Sequence, residues 1–433
     1  MSDLHYNPFD PEIRRDPYPT YARLRAEAPV FEAPGLGLFV VSRHRDVTAV
    51  LRDAGSYSSS AFGELFSRVN TTADRAEAVR GETPTDSGPA SSQDQFAGAL
   101  LDMDPPDHTR LRKIVNRGFT RSRIAALAPR VAAIAADLLD ELGGEREWDL
   151  VGDFAAPLPS AVIAELLGIE PERRVDFRRW SDALLLAATG MPGEAEQLAM
   201  GEAILELGDY LDGLIERRRR FPEADLVSAL VCADAADQEV LGAETIVRIA
   251  AVLLVAGNET TSNLITNAML ALLAHPQELA RVLPDPARIP AMLEEALRYD
   301  SPLQLTLRRT TRTVEIAGTS VPEGATLACL IGSANRDPAT FAEPERFDPE
   351  RFDPGRQNVG HLAFGLGHHF CLGAPLARLE AKLAFEALFA RYSNFELGAG
   401  EIPYTPSFLV RGVTRLPIRC RPIRERGLAR VSR

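Results

Sequence analysis

Ile124, Leu127, Val131, Ile134, Leu138 and Leu142 fall three or four residues apart, the spacing that gathers apolar side chains on one helix face. The same rhythm runs to about Gly213, interrupted by Gly and Pro, and predicts several helices in series. From Glu244 to Leu273 the apolar residues go nearly all round, which predicts one long buried helix. Tyr21 to Ala28 and Arg45 to Asp53 read as short helices. Ala374 to Tyr392 reads as a longer one. Leu38 to Val41 is strand-prone. Val314 to Leu330 alternates like strands, with turns at Ala317-Gly318 and Pro322-Glu323-Gly324. Glu401 to Arg419 is expected to form a terminal hairpin, and Pro8 to Tyr21, rich in Pro and Asp, an extended lead-in. No internal repeat is visible. The expectation is a mainly α chain with a smaller β-rich part, in a single domain over residues 1–433.

Two stretches break the apolar rhythm. Ser56 to Gln95 is rich in Ser, Thr, Gly and Asp, and Gly81 to Gln95 is almost without apolar residues. Residues 56–101 therefore read either as a solvated surface loop or as a lid over a site. Glu216 to Arg220 is a charge run, read as a solvated helix end.

Composition narrows the class. With 45% hydrophobic and 25% charged residues over 433 positions, the chain can bury a large core. A net charge of −13 argues against a nucleic-acid partner. Cys232, Cys329, Cys371 and Cys420 show no paired spacing, so reduced thiols and a cytoplasmic location are expected. Met1 to Asp16 carries no apolar signal core. The longest strongly apolar run, Ile249 to Ala256, is too short to cross a bilayer, so no membrane anchor is expected.

Candidate chemistry gathers around Cys371. Gly365 and Gly367 allow positive φ and a close approach to a flat partner, and Gly373 lets the following helix come near it. A cysteine at a helix start is biased toward the thiolate. One thiolate without a neighbouring cysteine does not suit zinc. It suits a single axial bond to a planar metal complex, although an isolated cysteine is more often a small buried hydrophobe. His108 and Arg112, four apart, share a helix face and could grip an anion. Glu259 and Thr260 sit mid-way along the long apolar helix, where a carboxyl is costly unless paired or protonated. Glu295 and Arg298 form a one-turn ion pair.

Phe364, Gly365, Gly367, His369, Cys371 and Gly373 fill every fixed position of F-G-x-G-x-H-x-C-x-G, the pattern of the cytochrome P-450 family, which this chain resembles from roughly Pro8 to Pro422. The resemblance is strongest from Glu244 onward and weakest between Ser56 and Leu101. It implies the cytochrome P-450 fold, a single haem domain, with 56–101 as a long loop between the second and third helices, 244–273 as the oxygen-activating helix and 364–392 as the ligand loop and its helix. It implies haem b with Cys371 as the iron ligand, and His108, Arg112, Arg308 and His369 as contacts to the haem propionates. Ala256, Gly257, Glu259 and Thr260 match A-G-x-[D/E]-T, which implies proton relay by Glu259 and Thr260. Glu295 and Arg298 match E-x-x-R, completed by Arg351, and are expected to be structural. By family position the substrate pocket takes Phe96, Leu100, Leu253, Leu303, Leu305, Thr306, Leu307, Phe408 and Leu409.

The activity implied is a monooxygenase of the soluble bacterial type. It inserts one oxygen atom of O2 into a hydrophobic small molecule of terpenoid, polyketide, steroid or fatty-acyl class, in secondary metabolism. Electrons are expected from NAD(P)H through a separate ferredoxin and ferredoxin reductase, since no flavin or nicotinamide fingerprint follows the Cys371 helix. Arg112, Lys113, Arg117, Arg121, Arg356 and Arg378 are candidates for a basic docking face. A monomer is expected. The rivals are a peroxide-driven peroxygenase, which the Glu259-Thr260 pair disfavours, and a haem-thiolate sensor without turnover.

Overall fold

The computed structural model describes residues 4–61, 100–144, 146–189, 194–237, 241–356 and 359–423. The lead-in is not extended. It forms α1 (Pro11–Arg15) and α2 (Tyr18–Glu27). The Asp10 carboxylate accepts from the Glu12 N–H at 2.9 Å, and each helix carries Pro in its first turn, where a missing N–H costs nothing. Pro and Asp were helix-start signals here, not breakers.

Strands β1 (Val30–Ala33) and β2 (Leu38–Val41) precede α3 (His44–Arg52) and β3 (Tyr57–Ser58). After residue 100 come α4 (Asp107–Asn116), α5 (Arg121–Glu141), β4 (Glu147–Asp149), α6 (Pro157–Leu167), α7 (Arg174–Thr189), α8 (Glu194–Arg220) and α9 (Leu226–Asp237). The long apolar run is α10 (Ala243–Ala274), one unbroken helix. It is followed by α11 (Pro276–Val282) and α12 (Ile289–Tyr299). Strands β5 (Leu305–Thr310), β6 (Val314–Ile316), β7 (Thr319–Val321) and β8 (Thr326–Leu330) lead to α13 (Ile331–Ala334) and α14 (Ala374–Arg391). Two strands close the described chain, β9 (Tyr392–Leu397) and β10 (Pro417–Pro422).

One sheet has the order β1-β2-β8-β5-β3, with β2 and β8 parallel and the other pairs antiparallel. β6 and β7 form a tight hairpin whose turn residues, Ala317 and Gly318, have φ of +48° and +83°, the positive values such a turn demands. The terminal segment is not the hairpin expected between Glu401 and Arg419. Pro403 and Pro406 remove ladder donors, and the segment keeps one internal bridge, Tyr404 to Val413, flanked by bonds from Thr405 to Gly412 and from Thr414 to Pro403, and a second bridge from Val410 to Leu303. Only β10 pairs regularly, with β9 and with β4.

The main core forms where α10 packs against α6, α12 and α14. Gly257 lets α6 approach closely there: a Cβ on it would stand 2.9 Å from Ile163 Cδ1, so that the isoleucine tip would have to move. A second core lies between the β-sheet and the N-terminal segment, and it corrects part of the expected pocket. Successive strand residues face opposite sides. Leu305 and Leu307 are buried with Tyr21, Leu24 and Leu330 in this N-terminal core, while Thr306 and Arg308 take the other face of β5. Phe408 and Leu409 pack against the same N-terminal core. The Phe408 ring lies 5.1 Å from Phe9 and lines a cavity with Tyr6, Tyr21, Tyr404 and Arg411. Leu100 is buried in the main core. Phe96 lies outside the described residues, as does most of the candidate lid. Among the described residues, no helix is long and apolar enough to cross a membrane.

Candidate active site

The loop before α14 is shaped by its own backbone. The Gly365 N–H donates to the Leu362 carbonyl at 2.8 Å, and the Cys371 N–H donates to the Phe364 carbonyl at 2.8 Å. Gly365 and Gly367 have φ of +68° and +73°, so both need the freedom of glycine. Their surroundings differ. A Cβ on Gly367 would meet the Leu51 carbonyl oxygen at 2.5 Å, whereas one on Gly365 would find nothing nearer than 3.6 Å. Gly373 has an ordinary φ of −79°, and a Cβ there would sit 4.0 Å from Cys371 Sγ. The protein itself therefore demands Gly367, while a Cβ on Gly373 would touch only the sulfur.

Cys371 is half-buried. Burial pushes its thiol up, against the N–H groups of Gly373 and Ala374 and the charges of Arg112 and Arg378. The net direction is opposite to that expected from the helix start alone, because desolvation of the sulfur outweighs the dipole. A coordinated metal ion reverses it by displacing the proton.

Four basic side chains gather near this loop. His108 comes from α4 and is buried, with neither ring nitrogen hydrogen-bonded among the described residues. His369 lies against it, ring centroids 4.1 Å apart, and its Nε2 is 2.9 Å from Ser59 Oγ. Arg112, one turn beyond His108, donates to the Phe370 carbonyl at 2.6 Å and to Asn116 at 3.2 Å. Arg308 comes from β5 and is buried. It donates to the Leu307 carbonyl at 2.7 Å, and among the described residues no carboxylate pairs with it. The cluster repels itself. Burial, Arg308 and His108 hold the His369 imidazole down at about 3, so it is neutral. Burial, then Arg112 and His368, push His108 the same way. Burial lowers Arg308 and Arg112 too.

On α10, Ala256 is exposed although residues 261–269 are all buried, and Glu259 and Thr260 are half-buried beside it. An exposed alanine in the middle of a buried helix marks a cavity wall. Leu253, three residues before Ala256, is half-buried and shares that face. Thr260 Oγ1 donates to the Ala256 carbonyl at 2.6 Å, a back-bond available to a hydroxyl in mid-helix. Glu259 has no hydrogen-bond partner among the described residues, and burial pushes its carboxyl up to about 7.

Glu295, Arg298 and Arg351 meet as a separate structural knot. The Arg298 guanidinium donates to both Glu295 oxygens at 2.8 Å, and Arg351 Nε lies 3.4 Å from Glu295. Sequence reasoning missed the neighbour of this knot. Glu294 takes two bonds from Arg378, at 2.6 and 2.8 Å, and one contact from His361 at 3.1 Å. That pairing holds the Arg378 guanidinium 4.4 Å over the Phe364 ring and draws the Glu294 carboxyl down to about 2. Arg378 is thus committed to the ligand loop, not free for docking, and Arg356 lies 3.6 Å from Glu350. Also unforeseen was Asp104, which accepts from the Ser59 N–H at 2.9 Å and pairs with the Ser58 hydroxyl.

These residues fit a haem. Among the described residues, His108 has two buried nitrogens without partners and Arg308 is a buried cation with no carboxylate partner, and Arg112 stands by: groups suited to binding carboxylates. Cys371 offers one sulfur, and no group of three metal-ligating side chains exists among the described residues. Comparison with known proteins agrees. The family model described as cytochrome P-450 matches residues 287–415. 6-Deoxyerythronolide B hydroxylase of Saccharopolyspora erythraea is 40% identical over 409 residues, 93% of this chain and 96% of the relative. Vitamin D(3) 25-hydroxylase of Pseudonocardia autotrophica is 38% identical over 413 residues, 94% of each. The solved structure of the cytochrome P-450 CYP109Q5 from Chondromyces apiculatus superposes with a TM-score of 0.83 at 37% identity, covering 97% of this chain and 99% of that one.

Proposed function

The chain belongs to the cytochrome P-450 family and is a haem-thiolate monooxygenase, and on that premise we propose that it hydroxylates or epoxidises a hydrophobic small molecule. Its electrons come from NAD(P)H through a separate ferredoxin and ferredoxin reductase. The observation that carries the reading is the buried basic cluster beside Cys371: His108 has no hydrogen-bond partner and Arg308 no carboxylate partner among the described residues, which suits a ligand bearing carboxylates next to a single thiolate.

Cys371 Sγ would be the protein's ligand to the haem iron. Arg112 and Arg308 would neutralise the haem carboxylates and His108 would donate a hydrogen bond to one of them, with His369 packed against His108 as the fourth member. Haem, when bound, supplies the binding and activation of dioxygen. The protein's own part is proton management and exclusion of water. With its carboxyl pushed up to about 7, Glu259 both holds and releases a proton near neutral pH, as a relay requires. The Thr260 hydroxyl spends its proton on the Ala256 carbonyl, and its lone pairs stay free to accept.

Leu253 and Leu303 are half-buried and apolar, with Thr306 on the cluster face of β5. Such a wall favours a terpenoid, polyketide, steroid or fatty-acyl substrate. The two relatives act, by name, on 6-deoxyerythronolide B and on vitamin D(3), so a similar degree of identity accompanies different substrates. Lys113 and Arg121 are exposed and are the cations left for a ferredoxin.

The test is the carbon-monoxide difference spectrum of the reduced protein, then turnover of a terpenoid, steroid and macrolide panel with a surrogate ferredoxin pair. A red-shifted Soret band and NADPH-coupled product are expected. A Soret band at the histidine-haem position would overturn the ligand assignment. Product formed as fast from hydrogen peroxide alone would overturn the electron route.

A further inference from the structure

Ser59 follows β3, whose register sets Ser58 opposite Arg309, the neighbour of Arg308. It is almost wholly buried. Its hydroxyl makes one described contact, 2.9 Å to His369 Nε2. The serine is held from behind: Asp104 accepts from its N–H at 2.9 Å and from the hydroxyl of Ser58. Against the His369 ring, centroids 4.1 Å apart, lies His108, whose own nitrogens have no partner among the described residues.

Resting on the functional reading above, we propose that Ser59 is a positioning residue that locks the His369 ring, and through it His108, in the orientation that grips the haem carboxylates. A buried hydroxyl must spend its hydrogen bond somewhere, and this one spends it on the imidazole. The bond at Nε2 adds to the hydrogen bond that the ring makes to the Met103 backbone, so the plane is held at two points, and a settled plane gives His108 a flat wall. Asp104 keeps the serine from turning away. Ser59 itself touches neither substrate nor iron.

Haem transfer from the holoenzyme to excess apomyoglobin tests this in Ser59→Ala, His369→Ala and the double variant. Ser59→Ala is expected to lose haem about tenfold faster than the parent, the scale of one lost hydrogen bond. The melting temperature of its haem-free form is expected to be unchanged. Because Ser59 acts through His369, the double variant is expected to lose haem no faster than His369→Ala alone. A parental rate in Ser59→Ala, or additive effects in the double variant, would overturn the proposal. A parent protein that binds haem without the thiolate spectrum would instead overturn the reading beneath it.

Discussion

Gly367 rests against Leu51: a Cβ on the glycine would stand 2.5 Å from the Leu51 carbonyl oxygen. The ligand loop is therefore seated on the last turn of α3, an element more than three hundred positions earlier in the chain. Gly367→Ala has to strain a left-handed φ and push two backbones apart. Gly365→Ala meets only the strain, about 1–2 kcal/mol, since its nearest atom lies at 3.6 Å. Thermal unfolding and the haem-to-protein ratio should both fall clearly further for Gly367→Ala. Equal losses in the two variants would mean that the loop is not seated on Leu51.

Glu259 makes stability depend on pH in a stated direction. Burial raises its folded carboxyl to about 7, above the roughly 4.3 of an unfolded chain. Below the unfolded value both states hold the proton, and nothing is lost. As pH rises toward 7 the unfolded chain releases a proton that the folded protein keeps, so stability declines until the folded carboxyl ionises as well. Urea unfolding at about pH 5 and about pH 8 should show a smaller difference in Glu259→Gln than in the parent. An undiminished difference would place the pH sensitivity elsewhere.

What was legible in the sequence was what local periodicity and short spacing encode. The long helix was expected over 244–273 and spans Ala243–Ala274. The helix after Cys371 was expected to end at Tyr392 and ends at Arg391. His108 and Arg112 could be paired because four residues make one turn. Ser59 and His369 could not, being 310 positions apart with only the fold to join them. Arg378 read as a docking charge because its partner, Glu294, lies 84 positions away in the sequence. Leu305 and Leu307 were misplaced for a different reason. A family position names a strand, but the pleat decides which of its residues reach the site.

Arg298 is the residue whose loss the fold should tolerate least. It is wholly buried, binds Glu295 through two bonds, and donates to the carbonyls of Asn335, Pro344 and Arg346 at 2.9–3.1 Å. Arg298→Ala strands a buried carboxylate, a loss of about 3–5 kcal/mol, a large share of the roughly 5–15 kcal/mol of a typical domain. Arg298→Lys should rescue it only in part, because one ammonium restores the charge beside Glu295 but cannot span acceptors laid out for a planar fork. Arg351 is partly exposed and sits 3.4 Å from Glu295, so Arg351→Ala should cost less. Yield of folded protein and the urea midpoint check the order Arg298→Ala below Arg298→Lys below Arg351→Ala. Arg351→Ala as damaging as Arg298→Ala would mean that the knot depends on all three members equally.

Strand β5 separates stability from specificity along one backbone. Leu305 and Leu307 lie in the N-terminal core with Tyr21 and Leu24, while Thr306 shares the opposite face with Arg308. Leu305→Ala should therefore lower the unfolding free energy by about 2–5 kcal/mol, the usual range for a buried leucine, and leave the ranking of bound substrates unchanged. Thr306→Val nearly preserves volume but removes a hydroxyl on the cluster side. Its stability should change little, while spin-state titrations across a steroid, terpenoid and macrolide panel should reorder. The pleat links the two expectations, since a strand cannot turn both residues to one face without a bulge. Reordered ligand preference in Leu305→Ala, with none in Thr306→Val, would mean that β5 presents the opposite face to the substrate.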